Sequence, residues 1–288
     1  MVSTLENNFL TVTVNHRGAE LSSIKSKDGV EYLWQADNKY WGRHAPVLFP
    51  IVGKLKDREC RIDETMYYIE QHGFARDMSF QLLDEKPGFL KFQYHYNLAS
   101  LELYPYKFTL NIIYQLVQNQ LQVIYEVENG DTKEMFFSIG AHPGFNVPLL
   151  PQEKFEDYYL EFEKNEKLER YHIDQGLLTD IKEVVPADGS KIPLTHPLFN
   201  KDALVFKGLQ SESVTIKTSK SPRSIKVDIK GFPYLGIWSK DDAPFVCIEP
   251  WYGVADHVAS NKNFKAKEGI QILNPSEKFT CKFGITIN

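Results

Sequence analysis

The segment Ser138-Ile139-Gly140-Ala141-His142-Pro143-Gly144-Phe145-Asn146-Val147-Pro148 joins an apolar run to a series of Gly and Pro residues. The run Met135–Ile139 predicts a buried strand, and the Gly, Pro and Gly residues after it cannot extend that strand without a bulge or a turn. His142 is therefore predicted at a strand end, a rigid mount that is open to solvent on one side. It is either a catalytic candidate or a turn histidine whose two ring nitrogens are both bonded to backbone.

The length and composition of the chain indicate a β-rich globular protein. Its 288 residues exceed an average domain, but all-β sandwiches and barrels reach this size as one unit, so we predict a single domain over residues 1–288. The net charge of -5, with both signs dispersed, argues against nucleic acid as a partner. No window holds the roughly 18 to 20 apolar residues that cross a bilayer, and the first residues do not resemble a signal peptide, so we expect a cytoplasmic protein without a membrane partner.

Motifs for metals and nucleotides do not occur in the sequence. The three cysteines, Cys60, Cys247 and Cys281, are odd in number and far apart, which favours neither a disulfide framework nor a paired-cysteine zinc site. We find no glycine-rich phosphate loop, no His-Glu-x-x-His pair and no Gly-x-Ser-x-Gly elbow. We therefore expect no metal and no cofactor, and the chemistry that remains available is proton transfer.

Alternating apolar and polar residues predict strands along most of the chain. Residues 89–96, 106–116 and 120–128 alternate over enough positions to predict a meander of antiparallel strands. The segment Leu177–Leu198 is rich in Pro, Asp, Gly and Ser and is predicted to loop over the surface. Since no long segment has helical periodicity, the predicted fold class is all-β.

Two further side chains suit acid and base chemistry. His72, in Gln71-His72-Gly73, follows a strand-like stretch, as His142 does. Glu249, in Cys247-Ile248-Glu249-Pro250-Trp251, is predicted at the end of an apolar strand, where partial desolvation would raise its proton affinity toward that of a useful base. The alternative for Glu249 is an ion pair with a nearby Arg or Lys.

Four blocks of this sequence together resemble the aldose 1-epimerase, or galactose mutarotase-like, family. They are Phe49-Pro50-Ile51-Val52-Gly53, His72-Gly73-Phe74-Ala75-Arg76, His142-Pro143-Gly144-Phe145-Asn146 and Cys247-Ile248-Glu249-Pro250-Trp251. Each block is weakly specific, but the four in this order are strongly so. The resemblance implies a supersandwich of large antiparallel sheets with a sugar cleft on one face. It also implies an isomerase that interconverts α and β anomers without a cofactor.

The resemblance also implies a role for each matching residue. Glu249 matches the general base that takes the proton of the C1 hydroxyl, and His142 matches the general acid that protonates the ring oxygen. The ring opens, the C1–C2 bond rotates, and reclosure gives the other anomer. His72 matches a histidine that binds near the ring oxygen and C1, and Asn146 and Trp251 within the blocks are candidates for substrate binding. Each proton-transfer group would contribute about 10²- to 10⁴-fold in rate.

Four more residues are candidates for holding the sugar. Lys54 occupies the region where many relatives carry an arginine, and Arg43 and Arg76 could serve a phosphate if the substrate is a hexose 6-phosphate. Positive groups that flank the loop before Lys54 suit a polyhydroxyl or anionic ligand, or are an ordinary solvated flank. Asp242 is a candidate for a sugar hydroxyl or a turn aspartate.

The sequence leaves several functions open. The leading hypothesis is an anomerase of free aldoses, with hexose 6-phosphates as alternative substrates. A second is a sugar-binding or sensor protein that keeps the cleft without turnover, although a binder has no need of a matched acid and base. A third is a zinc enzyme that uses His72, His142 and Glu249 as ligands, which no ligand spacing supports. The oligomeric state is not predicted.

Overall fold

The computed structural model describes residues 1–288. Strands hold 49% of the residues and helices 8%, which confirms the predicted all-β class. The strands are β1 (Val2–Glu6), β2 (Leu10–Asn15), β3 (Glu20–Ser26), β4 (Val47–Leu48), β5 (Glu59–Ile62), β6 (Thr65–Tyr68), β7 (Gln81–Lys86), β8 (Phe89–His95), β9 (Phe108–Val117), β10 (Gln120–Asn129), β11 (Met135–Phe137), β12 (Ile139–Ala141), β13 (Gly144–Asn146), β14 (Tyr158–Phe162), β15 (Glu169–Asp174), β16 (Leu177–Val184), β17 (Lys191–Pro193), β18 (Leu204–Lys207), β19 (Ser213–Thr218), β20 (Ser224–Asp228), β21 (Tyr234–Trp238), β22 (Phe245–Tyr252), β23 (Gln271–Leu273) and β24 (Lys278–Ile287).

Helical structure is confined to short pieces. The one α-helix, α1 (Leu98–Leu103), begins after Asn97, whose side chain accepts a hydrogen bond from the Ser100 N–H while the Ser100 hydroxyl accepts one from the Asn97 N–H. Single 3₁₀ turns occur at Lys56–Arg58, Ala75–Asp77, Phe155–Asp157, His196–Phe199 and Phe264–Ala266. None of these helices has the length and apolar character that crossing a bilayer requires.

Two large antiparallel sheets dominate the architecture. Nine strands pair in the order β17-β14-β19-β20-β24-β10-β9-β8-β7, and the second sheet has the order β16-β15-β18-β21-β22-β12-β4, with β13 also paired to β22. Strands β1 to β3 form a small separate sheet, and β5-β6 and β11-β23 are two-stranded pairs. The large antiparallel sheets expected from the sequence are therefore present.

A core of 66 buried residues takes side chains from both large sheets and from the small β1–β3 sheet. Strand β22 shows how the alternation positions the site. Its Val246 and Ile248 join the main core, whereas Cys247 and Trp251 point to the opposite face and join two small clusters of buried residues. Because both faces of β22 are buried, the strand is apolar at nearly every position rather than alternating.

Two sequence-based predictions of elements are wrong. Residues Met135–Ile139 do not form one strand: β11 ends at Phe137 and pairs with β23, while β12 pairs with β22 and β4. Ser138 separates them, and its N–H donates instead to the carbonyl of Pro50. The segment Leu177–Leu198 is not a surface loop, since it contains β16 and β17. Both are edge strands with one solvated side, which tolerates the polar residues that suggested a loop.

Candidate active site

His142 and Glu249 form a cross-strand pair. Strands β12 and β13 both pair with β22, and the register that places Gly140 opposite Trp251 also places Gly144 opposite Cys247. His142, midway between the two glycines, therefore lies opposite Glu249 on the same face of the sheet. The Nε2 atom of His142 is 3.3 Å from Oε2 of Glu249. The pair predicted from sequence thus meets in space.

Glu249 is almost completely buried, with 1% of its surface exposed. It lies within β22, which continues to Tyr252, so its predicted position at a strand end is wrong. Burial raises the pKa of the Glu249 carboxyl well above its ordinary value, because the charged form loses its solvation. Its Oε2 atom has no hydrogen-bond partner within the protein, and no Arg or Lys pairs with it. The ion-pair alternative is therefore not what the structure has.

His142 is held between aromatic side chains. Trp41 stacks on the imidazole with 4.8 Å between ring centroids, and Trp238 meets it edge-on at 5.8 Å. This enclosure leaves 8% of His142 exposed and lowers its pKa to about 3, because the imidazolium would be desolvated. Its Nδ1 atom is buried without a partner. His142 is therefore not a turn histidine whose two nitrogens are bonded to backbone.

His72 lies beside His142. Its ring lies nearly perpendicular to that of His142, at 5.5 Å between centroids. Its backbone is left-handed, with φ of 68°, and the next residue is Gly73, where a Cβ would collide with the Phe49 carbonyl. Nδ1 of His72 accepts a hydrogen bond from the Gly53 N–H at 3.1 Å. A neutral His72 therefore carries its proton on Nε2.

These three residues line one cavity of about 840 Å³. The register places Glu249, Gly236, Val205 and Tyr171 in a row across four neighbouring strands, and Glu249 and Val205 of this row line the cavity. The Trp251 ring lies over Gly236, where a Cβ would collide with it. A cavity of this size, with polar side chains around an apolar floor, suits a small molecule.

Of the six predicted substrate-binding residues, two line the cavity. They are Arg76 and Trp251. Burial beside Arg43 lowers the pKa of Arg76 to about 10, and its Nε atom has no hydrogen-bond partner. Nη2 of Arg76 donates to the Gln71 carbonyl at 2.6 Å, which fixes the guanidinium beside His72. The Trp251 indole is 6% exposed and also has an unpaired N–H.

The other four predicted substrate-binding residues do not line the cavity. Nζ of Lys54 donates to the Gln175 carbonyl, and the Arg43 guanidinium contacts both carboxylate oxygens of Asp77. The Asn146 side chain donates to the Glu31 carbonyl at 3.0 Å.

Asp242 is exposed, in the turn between β21 and β22, with φ of 54°. A backbone carbonyl holds the side chain of Lys54 and another that of Asn146, and the Asp77 carboxylate holds that of Arg43.

Several lining residues were not singled out from the sequence. They include Trp41, Trp238, His172, Lys201, Asp202 and Lys240. The dipeptide Lys-Asp occurs at 27–28, 56–57, 201–202 and 240–241, so it does not by itself mark the cavity. The dipeptides at 201–202 and 240–241 both lie beside the cavity because the strands that they adjoin, β18 and β21, are antiparallel neighbours.

The three side chains placed to hold a metal ion are not the three predicted ligands. Ligand atoms of His142, Cys247 and Glu249 lie within 4.8 Å of one another, whereas the sequence suggested His72 as the third ligand. Burial and the neighbouring Glu249 raise the pKa of the Cys247 thiol well above its ordinary value. A cation would have to displace protons from both the thiol and the carboxyl. These side chains fit a proton-transfer site better than a metal site.

Known proteins resemble this chain over its full length. A family model described as "Aldose 1-epimerase" matches residues 1–286. The plasmid form of protein LacX from Lactococcus lactis subsp. lactis is 36% identical, over 100% of this chain and 99% of that protein. A solved galactose mutarotase related enzyme from Lactobacillus acidophilus is 35% identical with a TM-score of 0.96, over 100% and 97% of the two chains. A galactose mutarotase-like protein from Lactobacillus casei ATCC 334 is 34% identical with a TM-score of 0.94, over 100% of both chains.

Proposed function

The chain belongs to the aldose 1-epimerase family, and on that premise we propose that it is a mutarotase, an isomerase that interconverts the α and β anomers of a cyclic aldose. The observation that carries the proposal is the contact between His142 and Glu249 at 3.3 Å inside the cavity. Anomer exchange removes a proton from one oxygen of a hemiacetal and adds a proton to the other. The two oxygens share one carbon, so an acid and a base this close together can reach both.

The pKa values of the pair indicate how many protons it carries. Burial raises the pKa of Glu249 and lowers that of His142, so near neutral pH the pair carries one transferable proton and no net charge. The lone transferable proton resides on Glu249 in the free protein, so it first passes from Oε2 of Glu249 to Nε2 of His142 across their 3.3 Å contact. In the direction that the family resemblance implies, the ionised Glu249 then takes the proton of the C1 hydroxyl while the protonated His142 gives its proton to the ring oxygen. The C1–O5 bond breaks, and a carbonyl forms at C1. After rotation about C1–C2 the two transfers reverse, and the pair regains its starting state.

Other cavity residues would bind and orient the sugar. The Nε2–H of His72 would donate to an oxygen near C1, where negative charge develops. Arg76 adds positive charge at the same end, and Trp41 and Trp251, which line the cavity, add apolar surface there. The carboxylate of Asp202, which also lines the cavity, can accept hydrogen bonds from sugar hydroxyls. The proposed reaction requires no cofactor.

Polarimetry of freshly dissolved α-glucose and α-galactose tests the proposal. Wild-type protein is expected to accelerate the change in rotation, and Glu249→Gln and His142→Asn are expected to lose about 10²- to 10⁴-fold of that acceleration. Lys230→Gln serves as a control, because Lys230 is an exposed residue outside the cavity that pairs with Glu212. If wild-type protein binds the sugars without accelerating the exchange, the proposal fails and a sugar-binding protein is the better description.

A further inference from the structure

His142 has no hydrogen bond within the protein that fixes its ring. The torsion that turns an imidazole about its Cβ–Cγ bond is broad, and proteins usually restrict it with a hydrogen bond to the nitrogen that does not react. In His142 that nitrogen is Nδ1, which is buried without a partner. The reacting nitrogen, Nε2, nevertheless lies 3.3 Å from Oε2 of Glu249. Packing must therefore hold the ring in this plane.

Three aromatic rings surround the His142 imidazole. The indole of Trp41 lies nearly parallel to it, with 28° between the planes and 4.8 Å between the centroids. The rings of Trp238 and His72 approach it edge-on, at 81° and 85° to its plane. Of the three, only Trp41 covers a face of the imidazole, so Trp41 is the ring that opposes rotation of His142 out of its plane.

Trp41 is itself held on several sides. Its ring packs on Phe245 at 5.6 Å with 26° between the planes, and it meets Trp238 edge-on at 5.7 Å. Its carbonyl accepts a hydrogen bond of 2.8 Å from the Trp34 indole N–H. Phe245 is completely buried at the start of β22, so this contact anchors Trp41 to the strand that carries Glu249. A group that positions another must be rigid, and Trp41 meets that condition.

The sequence after His142 leaves room for this stack. A Cβ at Gly144 would come within 3.1 Å of both Cζ3 of Trp41 and Cβ of Trp34. That separation is tighter than ordinary van der Waals contact, so a larger residue would press the indole out of its place. Gly144, which interrupts the apolar run in the sequence, therefore also allows the indole to reach the imidazole.

Trp41 lines the cavity, so the alternative is that its ring stacks on the sugar. Its contacts with His142, Phe245 and Trp238 already engage much of the ring, which favours a role toward His142. The two roles differ in their kinetic consequences. Loss of a positioning residue lowers kcat, whereas loss of a surface that binds the sugar raises KM.

We propose that Trp41 is a positioning residue, whose ring fixes the plane of the His142 imidazole so that Nε2 faces Glu249. The inference rests on the proposed mutarotase function and adds to it the group that aligns the acid with the base. Alignment matters because proton transfer requires the two groups to stay within hydrogen-bond reach of each other and of the substrate. Ring stacking here takes the place of the hydrogen bond to Nδ1 that orients many catalytic histidines.

The test compares Trp41→Leu, which removes the flat ring, with Trp41→Phe, which keeps one. Trp41→Leu is expected to lower kcat about tenfold to hundredfold, since a small misplacement of a catalytic group has an effect of that size. KM is expected to change less than about threefold. Trp41→Phe is expected to recover kcat to within about threefold of wild type, because the smaller ring can still stack.

Tyr40→Leu is the matched control. Tyr40 precedes Trp41 in the same loop and meets Trp34 edge-on at 6.1 Å, but it does not line the cavity. Tyr40→Leu should therefore leave kcat and KM unchanged. Thermal melting checks that each variant is folded. If Trp41→Leu is not, Trp41→Met takes its place, because the unbranched thioether adapts to an irregular space without supplying a ring.

The orientation of His142 can be measured without turnover. NMR relaxation in protein labelled with ¹³C-histidine gives order parameters for the ring C–H bonds of His142, assigned by their absence in His142→Asn. These order parameters should fall in Trp41→Leu and should match wild type in Trp41→Phe and Tyr40→Leu. If wild-type protein accelerates no anomer exchange, the mutarotase proposal fails by itself, and the order parameters then decide the role of Trp41.

Three results would overturn the positioning role. These are an unchanged kcat in Trp41→Leu, a loss that appears in KM alone, and order parameters of His142 that Trp41→Leu does not alter. The second result would assign Trp41 to sugar binding. A loss of kcat in Trp41→Phe as large as that in Trp41→Leu would also contradict the proposal, because stacking would not be the cause.

Discussion

The backbone N–H of Gly53 donates a hydrogen bond to Nδ1 of His72 over 3.1 Å. This contact fixes the neutral tautomer of His72, so Nε2 carries the proton that the proposed reaction uses near C1. The carbonyl of Gly53 also accepts a hydrogen bond from the His72 N–H, and the two residues therefore hold each other at the edge of the cleft. His72 makes both hydrogen bonds with its backbone in the left-handed region, at a φ of 68°.

His72→Asn is expected to lower kcat/KM about tenfold to hundredfold with little change in thermal stability. Asparagine tolerates the left-handed backbone at this position, but it places no imidazole N–H at the sugar. Polarimetry and thermal melting measure the two effects. His72→Ala serves as the comparison, because it should lose the same activity and also lower the melting temperature. Full activity in His72→Asn would exclude His72 from the reaction.

Glu249→Gln is expected to be more stable than wild type, increasingly so at higher pH. The pKa of Glu249 is raised in the folded protein, so the unfolded chain releases this proton first as the pH rises. Its contribution to stability is complete below the ordinary carboxyl pKa and is lost as the pH rises toward the folded value, by up to about 1.4 kcal/mol per pH unit. Glutamine does not titrate. Denaturant unfolding from about pH 5 to about pH 8 should show the free energies of unfolding of wild type and Glu249→Gln diverging as the pH rises. A constant difference between the two proteins would contradict a buried, unpaired carboxyl.

The acid limb of the pH–rate profile should lie well below the ordinary histidine range. The pair is active with one proton, and a second proton must bind to His142, whose pKa is lowered to about 3. We therefore expect kcat/KM, which reports the free enzyme, to remain level as the pH falls through about 6.5. The spontaneous rate measured in each buffer is subtracted. Half-loss of activity near the ordinary pKa of histidine, in protein that is still folded, would show that His142 is not desolvated.

Lys267→Met is expected to lower the free energy of unfolding by about 3–5 kcal/mol. Lys267 and Asp256 form an ion pair at 3.2 Å with side chains 2% and 5% exposed, and Lys267 also donates to the Val254 carbonyl. The substitution leaves Asp256 charged in the interior. Adding Asp256→Asn removes that charge and should recover part of the loss in a urea titration. A single-variant loss below about 1 kcal/mol would mean that solvent reaches the pair.

The sequence identified the three residues that meet in the cavity, His72, His142 and Glu249, better than the residues around them. His142 could be located because the signal is local: Gly and Pro residues interrupt an apolar run within a few positions of it. Its contact with Glu249 depends on the pairing of β12 with β22, which lie about a hundred residues apart in the chain. No local pattern encodes that pairing, so the resemblance to a family had to supply it.

Four of the six residues predicted to bind substrate do not line the cavity, because side-chain direction decides that outcome. Asn146 and Arg43 lie in segments that the sequence assigned to the cleft. In the structure their side chains are bonded to the Glu31 carbonyl and the Asp77 carboxylate. Local pattern cannot reveal such partners. Lys201 was not singled out from the sequence. Its contact is with Glu183, which Arg170 also contacts, and these three residues belong to different parts of the chain.

Exchange spectroscopy of the anomeric protons of glucose at equilibrium tests the central claim most directly, since it observes α-to-β interconversion without a net reaction. Wild-type protein should produce exchange that is absent with Glu249→Gln and His142→Asn, while Lys230→Gln should match wild type. Exchange that is equally fast with wild type and Glu249→Gln would contradict the claim that the buried pair carries the protons.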